Sequence, residues 1–287
     1  MSFSSIAILG PGLLGGSLAL AVHERMPGVD IRVWARRQES VAKVRSINLG
    51  SSVSTDAVSI ATGSDLIVFC MPVGAMPEVA EQIADAVSRD SIVTDVGSVK
   101  QPVVDRLGKI FRGKAEFIGS HPIAGSEQAG IDAARPDLFA GALTILTPVE
   151  DTPRASVERL AAFWKKVGCR IAETTPRAHD EAMALVSHLP HLAAAALVQT
   201  ALREHPAALD WRGNGFLDST RVASGPPGMW AGILLENREA MKKAIHAMIE
   251  NLTEASKLLD AGHAAGIELF LAEARDARDR IKQRTNS

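Results

Sequence analysis

The chain has 287 residues, 46% apolar and 22% charged, which suits a soluble globular protein of one large or two ordinary domains. Its 31 basic and 33 acidic residues leave a net charge of −2 with no basic block, which argues against nucleic acid or a membrane surface as the main partner and favours a small-molecule substrate. The two cysteines fall in no CxxC or HxxC grouping, which excludes a disulfide framework and a structural zinc site and fits a reducing cytoplasm.

The N-terminal stretch MSFSSIAILG has no basic leader and enters strand-like sequence at once, so no secretory signal is expected. The first strand, residues 6–9, runs into GPGLLGG, where Gly10, Gly12 and Gly15 form GxGxxG at the turn into a helix over 13–25. Such a turn needs glycine because it is tight and because the backbone must approach a pyrophosphate, which the N–H groups of the helix start then bind. Alone the motif is weak. With a strand before it, an amphipathic helix after it and a second strand over 31–34, it predicts dinucleotide binding. That second strand ends in VWARRQES, with no acid before Glu39. An acid there would accept hydrogen bonds from the ribose hydroxyl of NAD, whereas Arg36 and Arg37 suit the 2′-phosphate of NADP, so NADP is favoured over NAD. The other reading of the two arginines is an exposed loop.

Further strands are predicted over 66–69, 92–94, 116–118, 143–146 and 168–172, with helices over 77–87 and 99–110. This alternation predicts an α/β fold, a Rossmann-like, doubly wound, mostly parallel sheet occupying residues 1–175. From residue 176 the sequence turns helical, and an all-α domain is expected over 176–287. The longest apolar run there, 192–202, is interrupted by Gln199 and Thr200, so no membrane span is expected. Over 236–261, Met241, Ile245, Met248, Leu252, Ala255 and Leu259 recur at alternating steps of four and three, a packing seam that is either a core face or a subunit interface.

Four stretches combine polar residues with turn chemistry: TDVGSVK (94–100), GSHPIAGSEQAG (119–130), SHLPH (187–191) and GFLDSTRVASGPPGMW (215–230). The chain contains no tyrosine, so a catalytic acid or base must be His, Lys, Asp, Glu or Cys. His121 stands before Pro122, which restricts its backbone to extended conformations and so limits where the imidazole points. It is either a chemical tool or a packed loop residue held by a backbone carbonyl, and the residues alone leave both open. Ser98 also reads as the N-cap of the helix predicted from residue 99, a role compatible with a place in a polar site. Asp95 reads as structural. His188 and His191, three apart, share a helix face, but no carboxylate or cysteine grouping supports a metal there, and none is expected.

Together with the glycine turn, these stretches resemble the prephenate and arogenate dehydrogenase family of tyrosine biosynthesis, over nearly the whole chain and in the family's order. SHPIAGSE and GF-x-D-x-TR carry the resemblance more specifically than the glycines do. It implies oxidative decarboxylation of a cyclohexadienyl ring: hydride leaves C4 for the nicotinamide, the ring carboxylate leaves as CO2, and the ring becomes aromatic. It implies that His121 receives the hydroxyl proton, that Ser98 bridges His121 and the substrate hydroxyl, and that Arg221 holds the ring carboxylate. It places His191, and with less support His188, at the substrate side chain, Trp230 along that pocket, and Ser126 and Glu127 at its mouth. The cofactor surface it implies comprises Gly10, Gly12, Leu13, Leu14, Gly15, Arg36 and Arg37, with Met71 and Pro72 after the strand 66–69. A homodimer built on the helical domain is expected from the family. Leu217 departs from the pattern, standing where members often carry a basic residue, and this leaves the choice between pyruvyl and alanyl side chains open. Two other classes share such an architecture. A reductase of 3-hydroxy acids or imines would rely on a lysine or a lone acid, and a non-catalytic NADP-binding protein would not need His121, Ser98 and Arg221 together.

Overall fold

The computed structural model describes residues 3–125, 128 and 130–285. β1 (Ser5–Leu9) is buried along its whole length and pairs in parallel with β2 (Asp30–Trp34) on one side and β4 (Leu66–Phe69) on the other. β3 (Ser52–Ser54) extends the sheet beyond β2, and β5 (Ile92–Asp95), β6 (Glu116–Pro122), β7 (Leu143–Thr147) and β8 (Arg170–Glu173) extend it beyond β4, giving the order β3-β2-β1-β4-β5-β6-β7-β8. All pairs are parallel except β6–β7. The order reverses between β1 and β4, and in such sheets ligands bind outside the carboxyl ends of the strands at that crevice.

Helices cover both faces. α1 (Leu13–Arg25), α2 (Gln38–Ser46), α3 (Ala57–Ala61), α4 (Met76–Ile83), α5 (Gln101–Phe111) and α6 (Arg154–Val167) connect the strands. Because strand side chains alternate, Ile6 and Ile8 enter one core with Leu18, Val22 and Trp164, while Ala7 and Leu9 enter the other with Ile67, Met76, Val103 and Phe111. α7 (Pro176–Met183) and α8 (Leu189–Glu204) follow, joined by a π-helical turn, Ala184–His188; then come α9 (Asn214–Thr220), α10 (Pro227–Glu236), α11 (Arg238–Asp260) and α12 (Ala264–Thr285). The chain divides into two compact units, residues 1–238 and 239–287.

Several expectations change. β6 runs to Pro122, so His121 is a strand residue, paired with Ile145 of antiparallel β7, and not a loop residue. Gly119, which reads as a turn signal, lies within this strand, and glycine is needed there because a Cβ would stand 2.5 Å from Thr147 Oγ1. α5 begins at Gln101 with no side-chain cap from its own segment, so Ser98 is not its N-cap. Gln199 and Thr200 do not interrupt the helix, and by length and composition the run 176–204 is apolar enough to cross a membrane. Its buried positions nevertheless include His179, Asp180, His188 and His191, which hydrogen-bond to or stack on other parts of the fold. The α11 seam is a core face only at its start, where Met241 is buried, whereas Leu252 is 59% and Leu259 66% exposed.

Candidate active site

The glycine turn fits a dinucleotide. Gly10 takes φ +110°, and a Cβ on it would lie 2.6 Å from Cys70 O. A Cβ on Gly15 would lie 2.1 Å from Gly10 O, so the helix can approach the strand only without one. At Gly12 an added Cβ meets nothing within 4 Å, which leaves room in front of the α1 N-terminus for a phosphate against N–H groups that have no intrahelical partner. Leu13 and Leu14 open that helix. Arg36 and Arg37 are exposed just past β2, and Met71 and Pro72 follow β4 at the same sheet edge.

The strand ends beside this turn carry buried polar groups. Asp95, the last residue of β5, forms an ion pair with Lys100, both side chains fully buried. Asp95 also accepts from Gly97 N (2.8 Å) and Ser120 N (3.3 Å), while Lys100 Nζ donates to Ser120 O at 2.8 Å. Burial pushes the Asp95 carboxyl up and the Lys100 ammonium down, and each charge opposes the other's shift. Ser120 Oγ is held by Thr94 Oγ1 (2.6 Å) and Trp164 Nε1 (3.2 Å), so the residue preceding His121 is fixed from two sides.

His121 is buried, and its Nδ1 lies 2.8 Å from His179 Nε2. His179 Nδ1 lies 2.8 Å from Asp180 Oδ1. The Asp180 carboxylate in turn caps α5, accepting from Lys100 N (2.7 Å) and Gln101 N (2.9 Å). Burial above all, then the Lys100 charge and the neighbouring imidazoles of His179 and His188, hold the His121 imidazole well below its usual range, so it is neutral near pH 7.

The π turn follows from Pro190. A proline has no N–H and its ring crowds the carbonyl four residues back, so the preceding turn widens and Leu189 N bonds Ala184 O. His188 and His191 are both buried there. Asn237 Nδ2 donates to Asp180 O (2.9 Å) and to His188 Nδ1 (3.1 Å), which leaves the His188 proton on Nε2. Burial lowers the His188 pKa to about 4. The His191 ring stacks on Trp230 with centroids 3.6 Å apart and bonds the Val222 carbonyl. Among the described residues, His188 Nε2 and His191 Nδ1 are buried without a partner, one a donor and one an acceptor beside Trp230.

Ser98 lies half-buried between β5 and α5, and Arg221 is exposed in the turn after α9. Ser126 and Glu127 lie outside the described residues. Sequence reasoning missed His179, Asp180, Asn237 and Lys100. The one available signal was PRAHDEAM, an adjacent His and Asp near the start of a helical stretch.

His121 and His188 each have a folded pKa below the unfolded value, so the unfolded chain binds protons first. Their contribution to stability is therefore complete above about pH 6.5 and declines below it, by at most about 1.4 kcal/mol per pH unit for each histidine until the pH reaches its folded pKa. Urea unfolding at pH 7 and pH 5 is expected to show a clear loss of midpoint at pH 5, and equal midpoints would contradict the burial of both rings.

A glycine turn that fits a dinucleotide, at the same sheet edge as a neutral buried histidine, defines a Rossmann-type nicotinamide-dependent dehydrogenase. The sequence profile described as the prephenate dehydrogenase nucleotide-binding domain matches residues 18–173, and that of the prephenate dehydrogenase dimerization domain matches residues 175–273. The chain belongs to the prephenate dehydrogenase family. It is 34% identical to the cyclohexadienyl dehydrogenase of Zymomonas mobilis, over 87% of this chain and 86% of that one. It is 31% identical to the prephenate dehydrogenase of Bacillus subtilis, over 98% and 76%. The crystal structure of Aquifex aeolicus prephenate dehydrogenase in complex with hydroxyphenyl propionate and NAD+ superposes with a TM-score of 0.92 at 31% identity, covering 98% of this chain and 99% of that one. Synechocystis arogenate dehydrogenase gives 0.86 at 29% identity, covering 96% and 99%.

Proposed function

We propose that the protein oxidatively decarboxylates prephenate, arogenate or both with NADP as the preferred acceptor, in the cytoplasm and as a step of tyrosine biosynthesis. The observation that carries this reading is the neutral, buried imidazole of His121, committed through Nδ1 to a protein partner at the sheet edge that holds the glycine turn. The bound nicotinamide supplies the hydride acceptor. His121 takes the hydroxyl proton as C4 becomes carbonyl-like and returns it to the phenolate once CO2 has left. Ser98 bridges His121 and that hydroxyl. Arg221 pairs with the ring carboxylate and so orients the ring. His188 and His191 offer a donor and an acceptor to the side chain beside Trp230. The family resemblance assigns Ser126 and Glu127 to substrate binding.

Gly10, Gly12, Leu13, Leu14, Gly15, Met71 and Pro72 form the cofactor surface, and Arg36 with Arg37 selects the 2′-phosphate. We assign residues 1–175 to cofactor binding and 176–287 to substrate binding and dimerization. The exposed apolar residues of α11 and α12, Leu252, Leu259 and Leu269 among them, support a homodimer. Initial rates for prephenate and arogenate, each with NAD and NADP, test the whole reading: the expected result is absorbance of the reduced cofactor with CO2 release, and no turnover of either substrate would overturn it. A charge-assisted hydrogen bond contributes about 1.5–3 kcal/mol, so replacing Arg36 and Arg37 by Ala is expected to lower kcat/KM with NADP about 10- to 100-fold. The rate with NAD should change little; a wild-type protein that prefers NAD refutes this assignment.

A further inference from the structure

His179 matches no motif, and neither it nor Asp180 belongs to the surfaces assigned above. We propose that the two form a positioning pair that fixes the tautomer of His121, an inference that takes its functional weight from the proposed role of His121 as base. Each hydrogen bond in the row permits one direction. The Asp180 carboxylate accepts from Lys100 N and Gln101 N at the start of α5, an arrangement that suits an ionised acceptor. His179 Nδ1, 2.8 Å from Asp180 Oδ1, therefore carries a proton. In neutral His179 the Nε2 then bears a lone pair, and at 2.8 Å it accepts from His121 Nδ1–H. The His121 lone pair is left on Nε2, the nitrogen a general base needs free.

The groups facing this row are Lys100 from the segment before α5, Asp95 from β5, and His188 from the π turn. Lys100 and Asp95 neutralise one another as a buried pair, and His188, at about 4, is uncharged near neutrality. All three members of the row are buried, with Asp180 anchored to one helix N-terminus and His121 to the sheet. The imidazole thus has little freedom to flip, and the wrong tautomer would set two lone pairs against each other at 2.8 Å.

The test compares His179→Phe, which keeps a ring and loses the acceptor, with His179→Gln, whose amide oxygen can accept from His121 Nδ1. Long-range 1H–15N NMR on histidine-labelled protein reads the tautomer directly. Wild type is expected to show His121 protonated on Nδ1, with the signal assigned by its loss in His121→Asn. In His179→Phe the Nδ1–H form should be lost and kcat should fall about 100-fold with KM within about twofold, and His179→Gln should recover at least tenfold of that loss. An Nε2–H tautomer in wild type, or an undiminished kcat in His179→Phe, overturns the proposal. Because the NMR reading needs no substrate, an Nδ1–H form in a protein that turns over neither prephenate nor arogenate would defeat the proposed function and leave the positioning pair intact.

Discussion

His121→Asn is expected to lower kcat about 10²- to 10⁴-fold with little change in KM, the range that a positioned general base contributes. Asn keeps a polar group of similar reach in the strand but cannot take up a proton. The bond to His179 and the burial that keeps the ring neutral act on proton transfer, not on substrate affinity. Arg221→Ala should behave oppositely. The carboxylate it is assigned to hold must depart, so a contact stronger in the ground state than in the transition state raises affinity without speeding the step, and its loss should raise KM more than it lowers kcat. Steady-state kinetics with the two patterns exchanged would remove both assignments.

The second large effect is on stability. Lys100→Met is expected to destabilise the fold by about 3–5 kcal/mol, because it leaves the Asp95 charge buried without its partner. The double variant Asp95→Asn/Lys100→Met should recover part of that loss, since an amide oxygen can still accept from Gly97 N without a charge to neutralise. Urea midpoints measure both, and an unchanged midpoint in Lys100→Met would show that the pair contributes nothing. Lys100 also disfavours the His121 imidazolium, so in either variant the acid limb of kcat/KM should move upward toward pH 6.5.

Much of the architecture was legible because it rests on local signals. The hydrophobic strands β1, β4 and β5, the glycine turn and the helix over 13–25 each announce themselves within a few residues. β3, with the sequence SVS at the sheet edge, is too short and polar to register, and Gly119 with Pro122 disguised the end of β6 as a turn. The antiparallel pairing of β6 with β7 is set by contacts across a connection of some twenty residues, which no window of sequence contains. The site divides in the same way. His121 stands out through its neighbours, whereas His179 and Asp180 lie 58 and 59 positions further on and gain meaning only when α7 packs against the end of β6. Lys100 closes the stretch TDVGSVK but gains a role only once Asp95, five residues earlier, is found buried beside it. The α11 seam was correctly periodic, but periodicity does not say what covers it.

The wide turn at 184–188 has a consequence for how this region can vary. Nine residues separate His179 from His188, which in a regular α-helix is a rotation of about 900°, or opposite sides of the rod. The surplus residue acts as a phase correction, returning the second imidazole toward the first so that one amide, that of Asn237, reaches both Asp180 O in α7 and His188 at the end of the turn. A substitution along this segment leaves the helical phase unchanged. A single-residue insertion or deletion would throw the two halves out of step and unseat one histidine, so the spacing between them is more tightly constrained than the residues it contains.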